Sequence, residues 1–531
     1  MLIRLAALLL PLALLAACAS PPPAGPVRVK VLAINDFHGN LQTPRGGFRQ
    51  PDPANPGKTL TVPAGGAAHL ATAVREAAAK NPNHVFVAAG DLIGASPLIS
   101  ALFKDEPTVQ ALSAMGLFAS AVGNHEFDRG AAELLRLQGL AGFQYLAAST
   151  VDVATGRTLL PAYVVKRFEG IPVAFIGLTL KATPSIVVPT GVAGLEFRDE
   201  AETVNALVPA LQAQGIQAIV LLIHEGGFPA RGPNDCPGLS GPIVGIVERL
   251  HPAVDAVISG HTHRAYNCRI GGRLVTSADQ YGTVLSEIEL SLDRRTGDVL
   301  YARADNVVVR TDRFAADPRM AALVAEFAQR VVPLARRVVG RLPAALSREP
   351  APSGESPVGR FVADAQLAAT RGAGAQLALM NPGGLRADLA PDADGALRYE
   401  HLFTVQPFYN NLVTLTLTGA ELVQLLEQQW AGQPFPRVLQ ASRGFGYAWD
   451  AAQPAGRRVQ PGSLRLDGRA IGPDDRVRVT VNTFLADGGD NFLALKGGRE
   501  RVTGPMDIDA LEAFVREGGA ADAQPRVSRL N

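Results

Sequence analysis

The sequence predicts an α/β fold over its N-terminal half and a second, α+β region behind it, the two joined by a long helix. Three observations carry that prediction. Apolar runs that read as strands alternate with amphipathic helical stretches from residue 28 onward. Five short segments rich in His, Asp and Asn each follow one of those runs. At 531 residues the chain can bury more than one core.

The elements follow in order. Residues 27–34 form an apolar strand, 66–80 a helix with Ala, Leu and Val at helical spacing, and 84–89 another strand. Further strands are expected over 119–122, 172–177, 218–223 and 253–259, separated by helical stretches such as 202–214. Such alternation argues for a sheet covered on both faces. Residues 283–293 and 299–309 alternate in polarity and read as an antiparallel pair closing a first domain over 28–312. Residues 316–340 read as one amphipathic helix (Met320, Leu323, Val324, Phe327, Val331). It either links two domains, across 313–340, or belongs to the core of the second, over 341–531. The tail near 518–524 is rich in Ala, Asp and Gly.

Charge is balanced, with 50 basic and 49 acidic side chains. No basic field exists to hold a nucleic-acid polymer, although a single nucleotide stays possible.

The first eighteen residues are not expected in the fold. Arg4 supplies a positive start and residues 5–16 are almost all Leu and Ala. That run is shorter than the roughly 18 residues of a comfortable membrane span. It ends in Leu15, Ala16, Ala17 and Cys18, which resembles the lipobox of bacterial lipoprotein signal peptides. On that reading Cys18 is the lipidated N-terminus, exported and anchored to the outer membrane facing the periplasm or cell surface. Ala19 rather than Asp after it favours the outer over the inner membrane by the same resemblance. Residues 19–27, with SPPPAGP at 20–26, make a stiff tether. An ordinary secretory signal holding a Cys is the alternative. Cys236 and Cys268 flank the last His-rich segment, and export makes a disulfide the expected state. Two separate buried thiols are the other possibility.

The five segments are Asn35-Asp36-Phe37-His38, Gly90-Asp91, Gly123-Asn124-His125-Glu126, His224-Glu225 and Gly260-His261-Thr262-His263. They offer oxygen and nitrogen donors without a thiolate, which suits hard-to-borderline divalent metals. His69, His84, His251 and His401 belong to no such segment, and surface or capping roles are expected for them.

In their order and spacing these segments resemble the calcineurin-like metallophosphoesterases across residues 29–305, and the whole mature chain resembles the 5′-nucleotidase and UDP-sugar hydrolase family. The resemblance implies a four-layer αββα first domain and a C-terminal nucleotide-binding domain. It implies two divalent metal ions, identity open among Mn, Zn, Co and Mg. Asp36, His38 and His263 would hold one, Asn124, His224 and His261 the other, with Asp91 bridging. His125, oriented by Asp128, would face the phosphate. Some relatives carry Gln at the place of His263.

In the C-terminal region the resemblance implies Phe408 and Phe484 as a sandwich for a nucleobase. Asn381 and Asp490 would be partners for base or ribose, and Arg386 a phosphate-side contact. Core packing is the ordinary alternative for the two phenylalanines. The chain departs from its relatives at Gly354, where many carry Arg, and Arg348 and Arg360 are the candidate substitutes.

The function so implied is hydrolysis of a nucleoside 5′-monophosphate to nucleoside and phosphate. The alternatives are a 2′,3′-cyclic nucleotide, a UDP-sugar or a nucleoside di- or triphosphate in the same site, a sulfur-oxidation thiosulfohydrolase-like enzyme, and a non-catalytic binding lipoprotein.

Overall fold

The computed structural model describes residues 25–531 apart from 53, 54, 56, 57 and 231. Cys18 and the expected signal segment lie outside the described residues.

Two six-stranded sheets form the first half. In the first, the order is Val299–Val308, Val284–Leu292, Val27–Ile34, His84–Ala88, Leu117–Ala121, Gln144–Leu146. In the second it is Ala265–Ile270, Arg273–Ala278, Ala256–Ser259, Ala218–His224, Ile171–Thr179, Tyr163–Phe168. The sheets face each other across a layer of Val29, Val31, Val85, Val87, Phe175, Val220 and Leu222. On the outer face of the first sheet, Leu32, Ile34 and Phe86 meet Leu70 and Ala73 of the helix Ala67–Ala79. On the outer face of the second, Ile219, Leu221 and Ile223 meet Val204 and Val208 of the helix Glu200–Ala213. Central strands are therefore apolar on both sides, which is why they read as unbroken hydrophobic runs. The result is the four-layer αββα arrangement.

The second half holds a five-stranded sheet ordered Gln440–Ala441, Leu377–Met380, Arg476–Asn482, Asn411–Thr418, Arg499–Met506. A four-stranded sheet lies beside it, in which Val527–Leu530 runs parallel to Phe445–Asp450.

The expected helix over 316–340 is shorter, running Pro318–Ala335. Asp317 caps it by accepting from the backbone N–H of Arg319 and Met320, with Pro318 in the first turn. Beyond it, Val338–Arg341 is a strand paired with Ala396–Arg398. The helix sits on the first half: Phe327 meets Phe103 edge-on at 5.1 Å, and the Arg330 guanidinium lies 4.2 Å above the Phe103 ring. The same apolar cluster continues through Val331 to Phe361, Phe403 and Leu511 of the second half.

Candidate metal centre and substrate cavity

The parallel strands Val27–Ile34, His84–Ala88 and Leu117–Ala121 are neighbours, so the loops carrying Asp36 and His38, Asp91, and Asn124 and His125 leave the same edge. In the second sheet Ala218–His224 and Ala256–Ser259 are also parallel neighbours, and they deliver His224, His261 and His263. The carboxyl ends of two facing sheets thus converge on one point.

Five of these residues adopt left-handed backbone: Asp36 (φ 50°), His38 (45°), Asp91 (50°), His261 (71°) and His263 (53°). Such conformations cost on the order of 1–3 kcal/mol each and gather where function demands them. Close approach adds a glycine requirement. A Cβ on Gly123 would overlap the Asp91 carboxylate.

Three groups of side chains lie close enough to share an ion: Asp36, His38 and His263; His38, Asp91 and His125; and Asp91, His224 and His261. His38 Nδ1 is 2.8 Å from the Gly94 carbonyl and His224 Nδ1 is 2.8 Å from the Ala89 carbonyl. Each carbonyl accepts the ring proton, leaving the Nε2 lone pair turned inward, as for a metal-bound imidazole. His38 Nε2 then faces His263 Nε2 at 3.1 Å, and His224 Nε2 faces Asp91 Oδ2 at 2.9 Å. Asp36 Oδ1, Asn124 Oδ1 and His224 Nε2 are buried without a hydrogen bond. Carboxylate, amide and imidazole atoms gathered in a buried site with few other partners form a cradle suited to a cation. This donor set fits divalent metal ions.

Electrostatics divide the imidazoles: burial opposes the charge on His224, but Asp91 beside it raises that ring to about 10, whereas His261 and His263 go the other way. Burial and the neighbouring imidazole of His224 push His261 down to about 3. Burial, against the pull of Asp36, brings His263 to about 4. Both rings are held neutral, the form that ligates. For Asp91 burial is outweighed by His224 and His125, which hold the carboxyl well below its ordinary range. His125 Nδ1 lies 2.8 Å from Asp128 Oδ2, and its backbone N–H donates to Asp91 Oδ1 at 2.9 Å. Burial opposes its protonation, but Asp128 and Asp91 prevail and raise its pKa.

A cavity of about 600 Å³ opens from this centre. Its wall includes Asp91, Asn124, His125, Asp128, His261 and His263 from the first half, and Asn381, Arg386, Phe408, Phe484 and Asp490 from the second. Asn381 Nδ2 donates to Asp490 Oδ2 at 2.8 Å. The Arg386 guanidinium lies 5.9 Å from the Phe408 ring.

Residues 29–265 match the calcineurin-like phosphoesterases, and residues 338–497 match the 5′-nucleotidase C-terminal domain. The chain belongs to the two-domain 5′-nucleotidase family of calcineurin-like phosphoesterases. It is a phosphoric-ester hydrolase. Among relatives, endonuclease YhcR of Bacillus subtilis is 30% identical over 96% of this chain, which spans 41% of that protein's length. The structure of a 5′-nucleotidase precursor from Thermus thermophilus covers 95% of this chain and is itself covered completely (100%), at 27% identity and a TM-score of 0.79. The sulfate thiohydrolase SoxB of Thermus thermophilus shares the fold, with 19% identity, a TM-score of 0.75 and coverage of 96% of this chain and 98% of that one. Membership in this nucleotidase family implies divalent metal ions, in accord with the donor set.

The segments of the sequence are thus brought together. Cys236 and Cys268 form a disulfide, tying the loop after His224 to the strand that follows His263. Of the two substitutes for the arginine missing at Gly354, Arg348 lines the cavity, its Nη1 donating to the Arg386 carbonyl at 2.7 Å. Arg360 is turned away, toward the Asp522 carbonyl. His69, His84 and His251 bond local or neighbouring backbone, while His401 is buried against Arg45. Sequence reasoning passed over Glu126 and Arg437. Glu126 accepts from the backbone N–H of Asp91 (3.0 Å), Leu92 (2.8 Å) and Gly123 (2.6 Å). Its place in the Gly-Asn-His-Glu segment was a signal for it; Arg437, beside Asp490, had none.

Proposed function

We propose that this 5′-nucleotidase family member hydrolyses nucleoside 5′-monophosphates to nucleoside and phosphate, using two divalent metal ions. The observation that supports it most is that one cavity is walled both by the metal-ligand set and by the aromatic and amide residues of the second half. Asp36, His38 and His263 would hold one ion, and Asn124, His224 and His261 the other, with Asp91 between them. Two such ions supply Lewis-acid stabilisation of the phosphoryl oxygens and the attacking and leaving groups of an in-line displacement.

The chain's own residues do the rest. Asp128 fixes the His125 ring through Nδ1, leaving Nε2 to give a hydrogen bond or a proton to oxygen as negative charge develops. Arg386 and Arg348 offer guanidinium donors on the same wall. Phe408 and Phe484 offer faces for a base, and Asn381 and Asp490 offer polar contacts to base or ribose. The proposal includes export, which the disulfide supports because such bonds persist in oxidising compartments, and anchoring through Cys18, which rests on the lipobox resemblance.

The test is phosphate release from AMP, UMP, UDP-glucose and 2′,3′-cyclic AMP by the protein lacking residues 1–18, after chelation and restoration of Mn or Zn, with Asp91→Asn as control. Metal-dependent release from the monophosphates, lost in the variant, is expected. A folded, metal-loaded protein that turns over none of the four would overturn the proposal and direct attention to sulfonate substrates.

A further inference from the structure

The polar end of the cavity contains an ion pair that no motif announces. Arg437 Nη1 donates to Asp490 Oδ1 at 2.6 Å, while Asn381 Nδ2 takes Asp490 Oδ2 at 2.8 Å. Asn381 is itself fixed, since its Oδ1 accepts from Asn482 Nδ2 at 3.1 Å. Gln433 Nε2 donates to the Asp490 carbonyl at 2.6 Å and so pins the backbone as well. Asp490 is 7% exposed and sits in left-handed backbone (φ 54°). The Arg437 side chain is nearly as enclosed, at 12%, and its guanidinium lies 4.9 Å from the Phe435 ring. Both residues line the cavity.

Burial alone drives a carboxyl toward its protonated form, and it raises the pKa of Asp490. Arg437 opposes that. Among the described residues it is the one charged group within ion-pair distance of Asp490, the other side-chain neighbours being the neutral amides of Asn381 and Gln433. The protonation state matters because an ionised carboxylate only accepts, and two oxygens carry more lone pairs than two protein donors fill. The remainder can take hydrogen bonds from donors on a ligand. A protonated Asp490 would instead present a hydrogen toward the Asn381 amide or the Arg437 guanidinium, which have only hydrogens to offer there.

We infer that Arg437 is a positioning residue for substrate: it holds Asp490 as an oriented, acceptor-only carboxylate for the hydroxyl or amino donors of a nucleoside. The inference rests on the nucleotide reading above and deepens it. It makes the nucleoside-binding step depend on a cation other than Arg386 and Arg348, the arginines offered to the phosphate.

The test measures KM and kcat for AMP at pH 6, 7 and 8 with the metal-loaded wild type, Arg437→Met and Arg437→Lys. For Arg437→Met, KM should rise about tenfold at pH 7 with kcat within about threefold, the scale of one charge-assisted hydrogen bond. As pH falls from 8 to 6 its KM should climb further, because Asp490 without its cation takes up a proton, while wild-type KM stays level. Arg437→Lys, which restores the charge, should return KM most of the way and remove the slope. If Arg437→Met fails to give a native circular dichroism spectrum, Arg437→Gln carries the same pH comparison. An unchanged KM, or a rise that is independent of pH and not recovered by Lys, would overturn the inference while leaving AMP hydrolysis intact. Absence of AMP turnover in the wild type would overturn the nucleotide reading and this inference with it.

Discussion

The ring of Phe408 lies face to face with that of His125, 5.8 Å between centroids and 19° between planes. One comes from the second half of the chain and the other from the metal-bearing loops of the first. A surface suited to stacking on a base is therefore seated against the imidazole expected to face the phosphate.

Phe408→Ala should raise KM for AMP by about 10- to 100-fold, since stacking on an aromatic ring is worth roughly 1–3 kcal/mol per base. Phe484→Ala should do the same. Turnover of p-nitrophenyl phosphate, which carries no base, should fall less than turnover of AMP. Steady-state kinetics on both substrates checks the ratio.

Glu126 predicts a different loss. Its carboxylate gathers three backbone N–H groups and so holds the Asp91 loop against the Gly123 loop. Glu126→Ala should weaken metal affinity about 10- to 100-fold, the usual cost of losing a group that orients ligands. Titration of the metal-free protein with Mn or Zn by calorimetry reads it directly.

Gly489 predicts a loss by shape alone. A Cβ there would stand 2.5 Å from the Phe484 ring. Gly489→Ala should push that ring aside and raise KM for AMP severalfold with little change in Tm, measured by kinetics and a thermal melt on the same sample.

Stability should depend on pH through Asp255, remote from the metal centre. It is half-buried, and its Oδ2 accepts from the Ile219 backbone N–H at 2.8 Å. Burial raises its carboxyl to about 7. An acid whose folded pKa exceeds its unfolded one binds its proton more tightly when folded. Its contribution to stability is therefore greatest at low pH and declines as pH climbs from about 4 toward 7. Asp255→Asn should flatten that decline and raise Tm relative to wild type at pH 8 more than at pH 5, the stability difference being on the order of 1–2 kcal/mol after allowance for solvent.

The parts of this molecule that are legible in the sequence are local ones. Val27–Ile34 has the expected bounds because Val27, Val29, Val31 and Ile34 favour a strand and every position except Arg28 and Lys30 is buried. The metal segments are legible because each pairs a strand end with a ligand within a few residues. Strands with polar residues in them escaped notice: the edge strand Tyr163–Phe168 contains Lys166 and Arg167, and Arg273–Ala278, one place in from the other edge, contains Thr276 and Ser277, so neither looks apolar. The helix was overestimated because Val338 and Val339 extend its apolar spacing, yet they pair as a strand with a segment nearly sixty residues away. Arg437 was invisible for the same kind of reason. Its partner Asp490 is 53 positions distant, and only the fold brings the two together.

Val27–Ile34 is flanked in its sheet by His84–Ala88 on one side and by Val284–Leu292 on the other. During synthesis the first neighbour emerges soon after, but the second is separated by the whole of the other sheet. At roughly 5–20 residues per second, the strand waits on the order of 10–50 seconds with one hydrogen-bonding edge bare. An apolar strand open along one side is a template for pairing with the wrong chain. The nascent chain therefore has a long window in which that edge is open to mispairing, and for the form lacking residues 1–18 slowing translation between residues 90 and 280 should lower the yield of soluble protein.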